Sequence, residues 1–254
     1  MSGDPVVLVG DRRNRIRSFV AALARFPAEP KWAVVGGFAV NVRINHVHRM
    51  TNDIDMVSRE QMSLVEVLVL QSGADRVDAA KLRLDQDGTT ISVDVMADTA
   101  DMPLPTDSSS RAFALARRMA SATAESMVLQ VVEGGETAAR ATVPIATAAA
   151  LIALKTVAIP RRARSNSPAK VGSDIHDLVR LVQVCDFDAV CRAMSSGGDD
   201  LRQYVGATLV SWFSPDLDLR YTFARLRRLA RSPDADALTE DDLALAADLG
   251  RLLR

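Results

Sequence analysis

Asp53 and Asp55 stand one residue apart in a run whose other members, Ile54, Met56 and Val57, are apolar. In an extended chain residues i and i+2 share a face and lie about 7 Å apart, so both carboxylates project to one side. Like charges this close oppose each other's ionisation unless a cation sits between them, and hard oxygen ligands of this kind suit Mg²⁺. Asp94 supplies a third carboxylate, in an alternation of Ile91, Val93 and Val95 against Ser92, Asp94 and Met96 that turns it away from the more apolar face. Upstream, Lys31 to Val35 reads as a short buried strand, and Gly36-Gly37 as the turn into a helix carrying Phe38, Ala39, Val42 and Val47. Without a Cβ at the turn, a phosphate can approach the peptide N–H groups, and the positive end of the helix faces it. Arg49 and Thr51, just before Asp53, are the candidate donors to a nucleotide. Metal-binding carboxylates downstream of a phosphate-sized glycine turn describe a metal–triphosphate site.

The elements that position these groups follow from periodicity. Asp11 to Phe26 reads as an amphipathic helix with Ile16, Phe19, Val20 and Leu23 on one face, ended by Pro27 and Pro30. Ser58 to Gln61 has the form of a capping box for a helix bearing Leu64, Val65, Leu68 and Val69, closed by Gly73. Lys81 to Leu84 and the Asp94 segment are expected to form a hairpin around Asp85 to Gly88. Ala97 to Ser110 reads as a loop, and Val128 to Val132 with Ala141 to Val143 as strands around Gly134-Gly135. The expected fold is α+β: an α/β core with a mixed sheet over residues 1–144, followed by a helical lobe over 145–254.

In that lobe a helix from Ala148 to Ile159 is expected to stop at Pro160, with Lys155 as its single charge. Arg161, Arg162, Arg164 and Lys170 then read as a basic loop suited to phosphate, and Ser173 or Asp174 is placed to cap the next helix. The remainder, from Phe187, reads as a helical bundle broken near Gly197, Ser214 and Ser232, with further arginines between Arg220 and Arg231.

At 254 residues, 48% hydrophobic and 25% charged, the chain suits one large or two small domains. A net charge of −1 confines any RNA contact to local basic patches. Cys185 and Cys191 lack a companion ligand cluster and read as reduced thiols. No run approaches the roughly 20 apolar residues of a membrane span, and the first residues carry no signal-peptide pattern. A cytoplasmic protein with no membrane partner is expected.

A strand, a Gly-Gly turn and a helix ahead of an Asp-x-Asp strand, with a third carboxylate on a neighbouring strand, resemble the polymerase-β-like nucleotidyltransferase superfamily. The Lys155 helix, the basic stretch and the Asp174-x-x-Asp177-Leu178 segment resemble the third and fourth motifs of the AbiEii family, which takes in the MenT toxins. The likeness runs roughly from Trp32 to Leu181. It implies catalytic roles for Asp53, Asp55, Lys155 and Asp174, with Asp53, Asp55 and, from the wider superfamily, Asp94 as metal ligands for Mg²⁺. Gly36, Gly37, Arg49 and Thr51 fall to nucleotide binding, and Arg161, Arg162, Arg164 and Lys170 to RNA binding. The implied function is a toxin, restrained by a cognate antitoxin, that adds nucleotides from NTP to the 3′ end of tRNA and blocks aminoacylation, with CTP or UTP favoured. The implied chemistry is in-line displacement with release of pyrophosphate. The alternatives are an antibiotic nucleotidyltransferase or a non-catalytic module that grips a partner.

Overall fold

Short β-branched and alternating segments pair into one sheet in the computed structural model of the chain, which describes residues 4–10, 15–165, 168–214 and 238–254. Its strands are β1 (Val6–Val9), β2 (Trp32–Val35), β3 (Asp53–Ser58), β4 (Asp75–Arg76), β5 (Lys81–Gln86), β6 (Thr89–Ala97), β7 (Glu125–Glu133) and β8 (Glu136–Ile145). Their order is β1-β7-β8-β2-β3-β6-β5-β4. The pairs β1/β7, β8/β2 and β3/β6 are parallel and the others antiparallel, so the sheet is mixed as expected. All four residues of β2 are buried, as suits a central strand covered on both faces. The β5–β6 hairpin turns through Asp87 and Gly88 at φ 52 and 74, the two positive values of the turn that matches strand twist.

Contacts divide the chain into two compact units, Met1–Asp101 with Ala120–Thr147, and Met102–Met119 with Ala148–Arg254. The first holds the sheet and the helices α1 (Ile16–Leu23), α2 (Gly36–Arg43) and α3 (Gln61–Ser72). Phe19 of α1 meets Phe38 of α2 edge to face with ring centroids 5.6 Å apart. Two details differ from the sequence pattern. Helix α2 ends at Arg43, so Val47 lies beyond it. The capping box before α3 does not form: Ser58 is still in β3, where its hydroxyl donates to the Lys31 carbonyl at 2.7 Å and accepts from the Glu60 N–H. Burial against the neighbouring backbone takes the hydroxyl that a cap would use, and Gly73 closes the helix at φ 69.

The second unit holds most of α4 (Ser108–Ala122), and α5 (Ala148–Arg164), α6 (Pro168–Val184), α7 (Phe187–Ser196), α8 (Asp199–Phe213) and α9 (Glu240–Leu252). Helix α5 packs on α6, α7 and α8, and α9 packs on α6 and α8. Pro160 does not stop α5, which runs on to Arg164. The expected basic loop is therefore mostly helix, with Arg161, Arg162 and Arg164 in the last turn of α5 and Lys170 in α6. Arg161 is tied to Ser110 and the Phe113 ring and Arg162 to Asp174, which hold the last turn past the hydrogen bond that proline removes. The arginines from Arg220 to Arg231 lie outside the described residues. Among the described residues no helix is long and apolar enough to cross a membrane.

Candidate functional site

The parallel pairing of β3 with β6 sets Asp55 opposite Asp94 and Asp53 opposite Ser92. Opposed residues in a parallel ladder project to one face, and Asp53 shares that face with Asp55 by its two-residue offset. The three half-buried carboxylates each offer an oxygen within 4.8 Å of the others. This spacing and all-oxygen chemistry fit a hard divalent cation. The Thr51 hydroxyl donates to Asp53 Oδ1 at 3.1 Å and so orients that carboxylate. Lys81 Nζ, on β5 in register with Asp94, lies 4.0 Å from Asp94 Oδ2 and is mostly exposed.

The glycine pair meets this cluster from β2, where Val35 pairs with Asp55. Gly36 has φ +72, and a Cβ there would lie 1.9 Å from Asp55 Oδ2; a side chain would be both strained and in collision with the carboxylate. A Cβ on Gly37 would fall 2.3 Å from Arg49 Nη2. The glycines thus admit a carboxylate and a guanidinium to the start of α2. The N-cap position is Val35, whose side chain cannot accept a hydrogen bond, and the first peptide N–H groups of α2 lie beside Asp55 and Arg49. The other end of α2 is pinned, since Arg43 donates to the Ala146 and Ile145 carbonyls at 2.8 and 2.9 Å and pairs with Glu125. Asn41, fully buried in α2, donates from Nδ2 to the Arg49 carbonyl at 3.3 Å. It holds the segment that carries Arg49, and nothing in its local sequence marked it for that contact.

In the second unit Lys155 lies between two acids. Its Nζ is 2.9 Å from Asp174 Oδ1 and 2.6 Å from Asp177 Oδ2. Arg162, two turns along α5 from Lys155, binds the other oxygen of Asp174. Asp174 is therefore not a helix cap: it lies inside α6, with its side chain 1% exposed. Asp177, fully buried, was legible only as part of the Asp-x-x-Asp spacing, which puts both acids on one face of a helix. The remaining basic residues differ among themselves. Arg161 donates to Ser110 Oγ at 3.4 Å and lies 4.8 Å from the Phe113 ring centroid, which Arg117 approaches to 4.7 Å. Ser110, more through its N–H than its hydroxyl, and then Arg161 hold the Asp107 carboxyl below its ordinary value. Arg164 and Lys170 are exposed.

A mixed sheet bearing three converging carboxylates beside a Gly-Gly helix start, followed by helices, is the architecture of a nucleotidyltransferase. The family model for the nucleotidyl transferase AbiEii toxin of type IV toxin–antitoxin systems matches residues 18–205. The chain belongs to that family. Searches of curated proteins and of solved structures returned no match.

Proposed function

We propose that this chain is a Mg²⁺-dependent toxin that transfers nucleotides from NTP, with CTP or UTP favoured, to the 3′ end of tRNA, and that a cognate antitoxin restrains it. Membership in the family supports nucleotidyl transfer and the toxin–antitoxin context. The observation that carries the chemistry is the β3–β6 register, which sets Asp55 opposite Asp94 with Asp53 on the same face.

In this proposal Asp53, Asp55 and Asp94 hold the metal, with Thr51 fixing the oxygen it donates to on Asp53. Bound Mg²⁺ supplies charge neutralisation to the attacking and leaving oxygens. Gly36 and Gly37 add no side chain of their own to the start of α2, so a triphosphate can approach its peptide N–H groups with the Arg49 guanidinium beside them. Lys155 stabilises charge that builds on the transferring phosphoryl group, with Asp174 as its anchor. Arg161, Arg164 and Lys170, exposed at the α5–α6 junction, give the phosphates of an RNA acceptor a local counter-charge that a net charge of −1 does not. Arg162 belongs to the same stretch, but its guanidinium is engaged by Asp174.

The test is incubation of the full chain with total tRNA, Mg²⁺ and each α-³²P-labelled nucleoside triphosphate in turn. The expected result is labelled tRNA with matching pyrophosphate release, both lost on adding EDTA. Unlabelled RNA with every triphosphate would overturn the tRNA proposal. Unlabelled tRNA together with label on an aminoglycoside supplied in its place would move the acceptor to the antibiotic class.

A further inference from the structure

Lys155 has two carboxylate neighbours, both on α6. Asp174 is divided: Oδ1 takes Lys155 at 2.9 Å and Oδ2 takes Arg162. An acid shared between two cations holds each in a place that depends on the other. Asp177 contacts Lys155 more closely, at 2.6 Å, and from one turn further along α6. Two anchors on successive turns of one helix give the ammonium a direction as well as a neighbour. Burial sorts the four side chains the same way, since Asp174 and Asp177 are 1% and 0% exposed, Lys155 is 9% and Arg162 is 38%. Arg162 is thus the member of this quartet that solvent reaches most, and its bond to Asp174 the most readily exchanged.

We infer that Asp177 is the positioning residue of Lys155: it fixes the ammonium independently of Arg162, so that Lys155 keeps its place when Arg162 leaves Asp174 for a phosphate. The inference rests on the proposed role of Lys155 in nucleotidyl transfer and adds to it a residue that acts through Lys155 without touching the reacting atoms.

The test is a double-mutant cycle on the full chain, read as transfer of label from α-³²P-CTP to total tRNA, with kcat and KM for CTP separated and thermal unfolding measured on every variant. Asp177→Asn is expected to lower kcat about 10–100-fold, the usual range for a residue that orients another, while KM changes far less. Asp177→Glu, which keeps the charge, is expected to recover part of that loss. In a Lys155→Met background the same Asp177→Asn change is expected to cost no further activity. Should Asp177→Asn not fold, the cycle is run with Asp177→Glu.

Two outcomes overturn the inference alone: wild-type kcat in Asp177→Asn while Lys155→Met is inactive, or an equal fold-loss in both backgrounds, which would make Asp177 independent of Lys155. Wild-type turnover in Lys155→Met removes Lys155 from the chemistry and overturns the proposed role together with the inference.

Discussion

On the sheet, three half-buried carboxylates stand within 4.8 Å of one another; between α5 and α6, two fully buried carboxylates are interleaved with Lys155 and Arg162. The first arrangement crowds like charge, which folding does not favour and a bound cation does. The second sets two buried acids against Lys155 and Arg162, so removing the buried Lys155 leaves carboxylates without their counter-charge. The comparison teaches that clustered charge in one chain serves different ends according to its internal balance. A cluster dominated by one sign of charge is held by backbone register and suits a ligand of the opposite sign. A balanced one holds helices in place and aims a side chain.

The sharpest break of this contrast is in the sheet. Asp53→Asn or Asp55→Asn is expected to bring nucleotide transfer below detection while the melting temperature stays at or above that of the wild type, because one of three repelling charges is gone. A large fall in melting temperature would show that these carboxylates are structural, and the comparison would collapse.

Lys155→Met should behave in the opposite way. It leaves Asp174 and Asp177 buried with less compensation, a change that costs about 3–5 kcal/mol when a buried pair is broken. Transfer by the protein that remains folded should fall about 10²-fold or more. Chemical denaturation with kinetics on the same preparation checks both, and an unchanged unfolding midpoint would place Lys155 with the sheet carboxylates as an energetically free ligand-binding group.

Gly36→Ala tests whether register alone holds the sheet cluster. The added methyl would meet Asp55 Oδ2 at 1.9 Å on a backbone with φ +72, and a left-handed non-glycine residue costs about 1–2 kcal/mol. The Asp55 carboxylate must then move, so the expected result is transfer lost far out of proportion to the modest destabilisation. Equal transfer by the variant and the wild type would mean that Asp55 does not need its observed place.

How much of this could be read from the chain depended on how local the cause was. The glycine pair, the Asp-x-Asp segment, the Asp87-Gly88 hairpin and the Gly73 helix end are set by residues within a few positions of one another, and the structure has them. Asp94 was legible as a face of an alternating strand, but its pairing with Asp55 is a long-range register that no local pattern contains. β1 escaped notice because Val6–Val9 is four residues that become a strand only by pairing with β7. α4 escaped because its buried positions are mostly alanines, Ala112, Ala114, Ala116 and Ala120 beside Met119, and no stripe of bulky apolar side chains marks the face. Pro160 was read as a stop, yet Arg161 and Arg162 on its far side are tied to Ser110, Phe113 and Asp174, and tertiary contacts outweighed the local break. The same kind of contact turned a basic loop into a helix end and set Asp174, open from its sequence to a capping or a site role, at the centre of a buried network.

The smallest expected effect comes from a charge that belongs to neither cluster. At the start of α9, Asp242 Oδ2 accepts from the Thr239 N–H at 2.7 Å and from its hydroxyl at 2.8 Å, while Gln183 of α6 donates to Oδ1 at 2.6 Å. Burial works against the ionised carboxylate, but the Thr239 N–H and hydroxyl, the Gln183 amide and the charge of Arg180 outweigh it and hold the group below its ordinary value. A carboxyl lowered on folding adds stability that is fully present above its unfolded pKa and is lost as pH falls through the folded one. Asp242→Asn should therefore cost about 1 kcal/mol near pH 7, the usual scale of a helix cap. The gap in melting temperature from the wild type should hold steady down to about pH 4 and close as the solution becomes more acidic. Transfer measured at pH 7 well below the melting temperature should not change, since this charge neither binds a metal nor aims Lys155. A gap that stays constant into strong acid would show that Asp242 acts through its hydrogen bonds as a neutral group would, and not through its charge.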